Sequence, residues 1–178
     1  MRNTFDRFNG RHQDYQAARP SYAQEFLDWL GELYAPPERY TAADIGSGTG
    51  KLSAQLLAAG FRVCGVEPNP DMRGAAEALL GGDPRFSSSN GTDHDTGLPD
   101  RSVDMVAAAQ AFHWFDGPAF ARECRRILRP GGRAVLVWNV RGSAPMNQAL
   151  AQVFREHCPS FHGFTGGMGE DDPRIRDF

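Results

Sequence analysis

Asp44 is followed by glycines at every second position, Gly46, Gly48 and Gly50, and an isolated acid, Glu67, stands shortly beyond them. Glycine takes positive φ without penalty and, lacking a Cβ, lets a ligand come close to the backbone. A carboxylate can accept hydrogen bonds from both hydroxyls of a ribose. A glycine loop and an acid facing one cleft therefore ask for a molecule that bears a nucleoside. Spacing separates two classes of such molecule. The dinucleotide fingerprint GxGxxG, counted from Gly46, would have its third glycine where Lys51 stands, whereas here it falls at Gly50.

The two signals meet only if the chain brings them to one end of a sheet. "TAADI" (41–45) reads as a short strand, "KLSAQLLAA" as a helix ended by Gly60, and "FRVCGVE" (61–67) as a second strand. Asn69 and Pro70 then read as N-cap and first residue of a helix that runs to Gly81-Gly82. "RFSSSN" (85–90) is a third strand, "SVDMVAAAQ" (102–110) a buried fourth, "AFARECRRIL" a helix, and "GRAVLVWNV" (132–140) a fifth strand after the Arg129-Pro130-Gly131-Gly132 turn. Ahead of them, Ser21 and Gln24 predict a capping box for an amphipathic helix that Pro36-Pro37 stops. Strands alternating with helices imply an α/β, doubly wound parallel sheet, in which ligands bind outside the carboxyl ends of the strands where their order reverses. The expected organisation is a single domain: a helical N-terminal cap segment (1–40), a cofactor-binding core (41–140), and a C-terminal helix with a flexible tail (141–178).

Composition narrows the partners. A 178-residue chain that is 40% hydrophobic and 23% charged suits one globular domain with a substantial core. With 19 basic against 22 acidic residues, its net charge of -3 offers no excess with which to neutralise a phosphate backbone, so no nucleic-acid partner is expected. No apolar run is long enough to span a bilayer and the first residues are polar, so a cytoplasmic protein without a membrane partner is expected. Cys64, Cys124 and Cys158 lack CxxC spacing and read as reduced thiols. His157, Cys158 and His162 lie close together without ligand spacing, and no metal is expected.

The G-x-G-x-G form in "DIGSGTG" resembles the first motif of class I S-adenosylmethionine-dependent methyltransferases, and the likeness continues. "GVEPNPDM" is similar to that family's second motif, "LPDRSVDMVAAAQAFHWFD" to the segment entering its fourth strand, and "ILRPGGRAVLVWN" to the approach to its fifth. "YQAARPSY" resembles the N-terminal segment of the small-molecule branch that includes aconitate- and ubiquinone-type enzymes, so the likeness covers residues 15–140 in order. The resemblance implies a Rossmann-like methyltransferase fold, S-adenosyl-L-methionine as cofactor and a small-molecule methyl acceptor. Asp44 and the backbone of Gly46, Ser47 and Gly48 would hold the methionine part, Gly50 would let the next helix pack closely, and Glu67 would take the ribose hydroxyls. Met72 would lie on the adenine face, or simply be core. Relatives often carry Gly-Asp-Ala after the third strand, the acid meeting the adenine amino group. Gly91-Thr92-Asp93-His94 sets the acid one residue late, so either Asp93 or Thr92 takes that part. Tyr15 and Arg19 would close over the cofactor, Arg19 meeting its carboxylate. Gln110 would touch cofactor or substrate.

Methyl transfer from a sulfonium draws most of its rate from alignment, so a base is optional. His113, in "AQAFHWFD", is the histidine standing where a base would serve; its alternative is a loop hydrogen bond, with Phe112, Trp114 and Phe115 as ordinary core. The Asn/Asp-Pro-Pro-aromatic signature of amino-methylating nucleic-acid enzymes is missing after strand four, and none of the three cysteines follows a proline. Relatives complete the sheet with a helix and an antiparallel strand pair. Only 38 residues, Arg141 to Phe178, follow strand five here, and beyond the helix "APMNQALAQVFREH" nothing alternates like two strands. The chain thus reads as shortened, the antiparallel strands are expected to be absent, and strand 133–140 becomes an apolar edge open to self-association. Two other readings stay open: a protein that binds the cofactor without turnover, and an NAD-type dehydrogenase.

Overall fold

Strands buried on both faces must be apolar throughout, and helices laid on them must be apolar along one stripe. The computed structural model, which describes residues 21–139, 145–158 and Ile175, follows this rule in its central strands apart from Asp44 and Asp104. In order come α1 (Gln24–Leu33), β1 (Thr41–Ile45), α2 (Lys51–Ala58), β2 (Arg62–Val66), α3 (Pro70–Leu80), β3 (Phe86–Ser89), β4 (Val103–Ala109), α4 (Gly117–Ile127), β5 (Leu128–Val137) and α5 (Pro145–His157). The strands form one sheet in the order β3-β2-β1-β4-β5, and every pairing is parallel. The order reverses between β1 and β4, so a cleft opens at their carboxyl ends.

Alternate residues of each central strand feed two separate cores. Ala43 and Ile45 of β1, Cys64 and Val66 of β2, and Val106 and Ala108 of β4 meet Phe120, Cys124 and Ile127 of α4 on one face. Ala42, Val63, Met105 and Ala107 meet Leu30 of α1, Leu52 and Leu56 of α2, and Leu80 of α3 on the other. The helix starts follow local chemistry. The Asn69 side chain accepts from the Asp71 and Met72 amides to cap α3, and Asp116 accepts from Ala119 to cap α4.

Two expectations are corrected. The Ser21–Gln24 capping box does not form: α1 has Ala23 as N-cap without a side-chain bond, and the Gln24 amide reaches Asp28 Oδ1 instead. The chain before α1 is fixed from outside the helix, because Gln55 of α2 accepts from the Tyr22 N–H and donates to the Tyr22 carbonyl. The fifth strand runs Leu128–Val137, not 132–140. Leu128 already pairs with Val103, and the Pro130-Gly131 segment read as a preceding turn is an irregularity inside the strand, where the register shifts between Val103 and Met105. The edge expected at 133–140 therefore ends at Val137 as a strand.

Gly50 shows how closely neighbouring helices of one layer meet. It caps α2 with φ of 80°, and a Cβ there would lie 2.8 Å from Leu80 Cδ1 and 3.1 Å from the Ala76 Cβ. Gly50 thus lets α2 pack closely against α3, its neighbour in the same helical layer. Gly50→Ala should lose roughly 2–4 kcal/mol through a left-handed alanine and overpacking. Urea denaturation checks this, and an unchanged midpoint would contradict it.

Candidate functional site

At the switch point the chain encloses a cavity of about 180 Å³ lined by residues from four segments. The loop after β1 gives Gly46 and Gly48; the end of β2 and start of α3 give Glu67, Pro68, Asn69 and Met72. Gly91, Thr92 and Asp93 come from the β3–β4 connection, and Ala109, Gln110, Ala111, Trp114 and Phe115 from the end of β4 and the turn after it.

Glu67 organises the near wall. It is buried, and its Oε2 accepts from the Gly48 N–H at 2.9 Å while its Oε1 accepts from the Asn69 N–H at 2.9 Å. Burial raises its pKa against the opposing pull of those two amides. A carboxylate has about four lone-pair positions, so each oxygen retains capacity for another donor. The Gly46 and Ser47 amides both donate to the Val66 carbonyl, and the Gly50 amide to the Ser47 carbonyl. Four amides of the loop are therefore committed within the protein. Gly46, at φ of 69°, passes so near the opposite wall that a Cβ would lie 2.8 Å from the Ala111 Cβ and 3.3 Å from the Phe115 ring.

Asp44 lies beneath this loop rather than in the cavity lining. It is fully buried, and its Oδ2 accepts from the Ser53 hydroxyl at 2.7 Å. Desolvation pushes its pKa up to about 6, with the Glu67 charge adding to the rise and Ser53 opposing it. The far wall is held by Asp93, whose Oδ2 accepts from the Asp116 N–H and whose Oδ1 faces His94 Nδ1 at 3.0 Å. Thr92 accepts from the Asp95 N–H through its hydroxyl. Gln110 takes φ of 55°, uncommon for a non-glycine residue and often found where a site is built. Its amide donates to the Val137 carbonyl and its side chain to the Asn139 carbonyl, joining the ends of β4 and β5.

The model of the family described as "Methyltransferase domain" matches residues 43–136. The chain belongs to the class I S-adenosylmethionine-dependent methyltransferase family. An uncharacterised methyltransferase of Mycobacterium bovis is 42% identical over 127 residues, which is 71% of this chain and 49% of that protein. An uncharacterised methyltransferase of Schizosaccharomyces pombe is 31% identical over 147 residues, 82% of this chain and 57% of its own length. The structure of a putative type II methyltransferase from Anaeromyxobacter dehalogenans superimposes with a TM-score of 0.60 at 33% identity, covering 89% of this chain and 63% of that one. This methyltransferase chain thus spans about half the length of the curated relatives it matches.

Of the residues expected at the methyltransferase site, Gly46, Gly48, Glu67, Met72, Thr92, Asp93 and Gln110 line one cavity. Asp44, Ser47 and Gly50 support the loop from outside the lining. The Ser47 Oγ turns towards β2, 3.0 Å from where a Cβ on Gly65 would lie. His113 sits on the Phe112–Trp114 turn but does not line the cavity, whereas its neighbours Trp114 and Phe115 do. Tyr15 and Arg19 lie outside the described residues. Sequence reading missed the aromatic wall: Phe112 is core, but Trp114 is 47% exposed and lines the cavity. Its polar flanks, His113 and Asp116, were the available signal. Among the described residues, no helix is long and apolar enough to cross a membrane and no group of three or more His, Cys, Asp and Glu could hold a metal.

S-adenosylmethionine fits what the cavity offers. Two carboxylates, Glu67 and Asp93, stand among its lining residues, no lysine or arginine is one of them, and the Gly46, Ser47, Gly48 and Gly50 amides, which could have met a pyrophosphate, are bonded within the protein. A molecule with a sulfonium and an ammonium suits such a lining better than one with two phosphates.

Asp44 gives this methyltransferase site a measurable pH signature. With its folded pKa above the unfolded value, the native chain binds the extra proton between about pH 4 and pH 6. Asp44 therefore lowers stability as pH rises through that interval, and its cost is complete above it. Asp44→Asn keeps an acceptor for Ser53, so the variant should gain on the wild type from pH 4 to pH 7 by up to roughly 3 kcal/mol. Chemical denaturation across that range checks it, and a flat difference would contradict it.

Proposed function

We propose that this domain binds S-adenosylmethionine in the switch-point cavity and promotes transfer of its methyl group to a small-molecule acceptor. One observation carries the reading: the buried Glu67 carboxylate is fixed by the Gly48 and Asn69 amides at the end of β2 with lone pairs still to offer, in a cavity without cationic lining side chains. When bound, the sulfonium would supply an activated methyl carbon with a neutral thioether as its leaving group.

The chain's own tasks are binding and orientation. Glu67 accepts from the ribose hydroxyls, and the buried Met72 covers the adenine face with a soft apolar surface. Thr92 or Asp93 meets the adenine amino group. With their amides engaged, Gly46 and Gly48 offer carbonyl oxygens and side-chain-free approach to the ammonium end. Holding the acceptor in line with the methyl supplies most of the rate, and Trp114 and Phe115 border the space from which it would approach. His113 is proposed as proton acceptor where the methylated group is a hydroxyl or a carboxylic acid. The missing nucleic-acid signatures after β4 support a small molecule as acceptor.

Isothermal titration with S-adenosylhomocysteine, the product form of the cofactor, tests the reading. Saturable binding is expected, weakened roughly 10- to 100-fold in Glu67→Gln through loss of charge-assisted bonds and unchanged in His113→Ala. NAD should give no saturable heat. Equal affinity in wild type and Glu67→Gln would overturn the assignment of Glu67.

A further inference from the structure

The β3–β4 connection has no helix or strand of its own, yet it supplies Gly91, Thr92 and Asp93 to the cavity wall. Its shape is held by a buried polar hub. Thr96 is 0% exposed, and both its N–H (2.9 Å) and its hydroxyl (2.6 Å) donate to Glu123 Oε1. The Thr96 carbonyl accepts from the Ser89 hydroxyl at 2.7 Å, and Gly91 lies so close that a Cβ there would be 2.5 Å from the same carbonyl oxygen.

Glu123, 6% exposed in the middle of α4, is itself held by Arg126, whose Nε and NH2 groups donate to its two oxygens at 2.8 and 2.6 Å. The remaining Arg126 nitrogen reaches the Leu98 carbonyl and Asp100 Oδ1. At the start of the same helix the Asp116 amide holds Asp93. One helix therefore grips the connection at Asp93 and again from Thr96 to Asp100. Burial alone would raise the Glu123 pKa, but the bonds from Arg126 and Thr96 bring it down to about 2, so the carboxylate stays charged at neutral pH.

We propose that Glu123, acting through Thr96, is a positioning residue that sets the Gly91–Asp93 wall for recognition of the adenine amino group. This rests on the S-adenosylmethionine reading of the cavity. Glu123 does not line the cavity, so it acts on the ligand only through the connection. Its effect should be selective for the base edge, which a merely structural role would not produce.

Titration with S-adenosylhomocysteine and with S-inosylhomocysteine, in which a carbonyl oxygen replaces the amino group, separates the cases. Wild type should prefer the adenosine form by about tenfold, the worth of one good polar contact. Thr96→Val and Glu123→Gln should lose most of that preference while binding the inosine form as wild type does, and Thr96→Ser should retain it. Circular dichroism confirms folding, and Thr96→Val decides the matter if Glu123→Gln does not fold. Equal weakening for both ligands, an unaltered preference in a folded variant, or no preference in the wild type would overturn the proposal. Failure of the wild type to bind either ligand would sink the cofactor reading itself.

Discussion

Glu67 reaches from the end of β2 into two turns at once, one oxygen on the glycine loop at Gly48 and the other on the start of α3 at Asn69. Burying that carboxylate is costly, and the cost is met because two backbone amides point at it. Each turn in turn fixes something else. Gly48 belongs to the loop whose φ values bring Gly46 against Ala111 and Gly50 against Leu80, so the glycine loop also sets how closely the β4 turn and α3 approach. Asn69, once held, caps α3 with its side chain and brings Met72 to the cavity. The cleft has its shape because these bonds share one anchor.

The same bonds decide what the cleft can recognise. A glycine-rich loop at a helix N-terminus is ordinarily a place for phosphate, since its amides point outwards. In this chain the Gly46, Ser47, Gly48 and Gly50 amides turn inwards, to Val66, Glu67 and Ser47. What remains on offer is carbonyl oxygen, carboxylate and close backbone approach. Asp44 beneath the loop adds a second buried acid, and its burial raises its pKa. Membership of the methyltransferase family and the electrostatics of the cavity thus point to the same kind of ligand.

Elements whose signal is local were legible in the sequence. β1 runs from Thr41 to Ile45 as expected, and Asn69-Pro70 starts α3 because cap and first-turn proline are short-range chemistry. Expectation failed where a distant partner decides. Ser21 lost its capping role while Gln55, 33 residues beyond Tyr22, took over the local backbone. The Arg129–Gly132 stretch has the composition of a turn, yet Leu128 pairs with Val103 and draws it into β5. In the site, the glycine loop, Glu67, Met72 and Gln110 could be read from motif order. The aromatic wall could not, because Phe112, Trp114 and Phe115 look alike in sequence although only the last two border the cavity. Thr96 and Glu123 form no motif: their pairing across 27 residues exists only once α4 lies on the sheet.

The most direct test of the Glu67-centred cleft is a titration followed by amide nitrogen–proton correlation spectra of the chain with S-adenosylhomocysteine. The Gly48, Glu67, Asn69 and Thr92 amides should shift together with a single saturation constant, and NAD should leave them in place. Unmoved amides at saturating S-adenosylhomocysteine, or the same concerted shift produced by NAD, would contradict the assignment of this cleft.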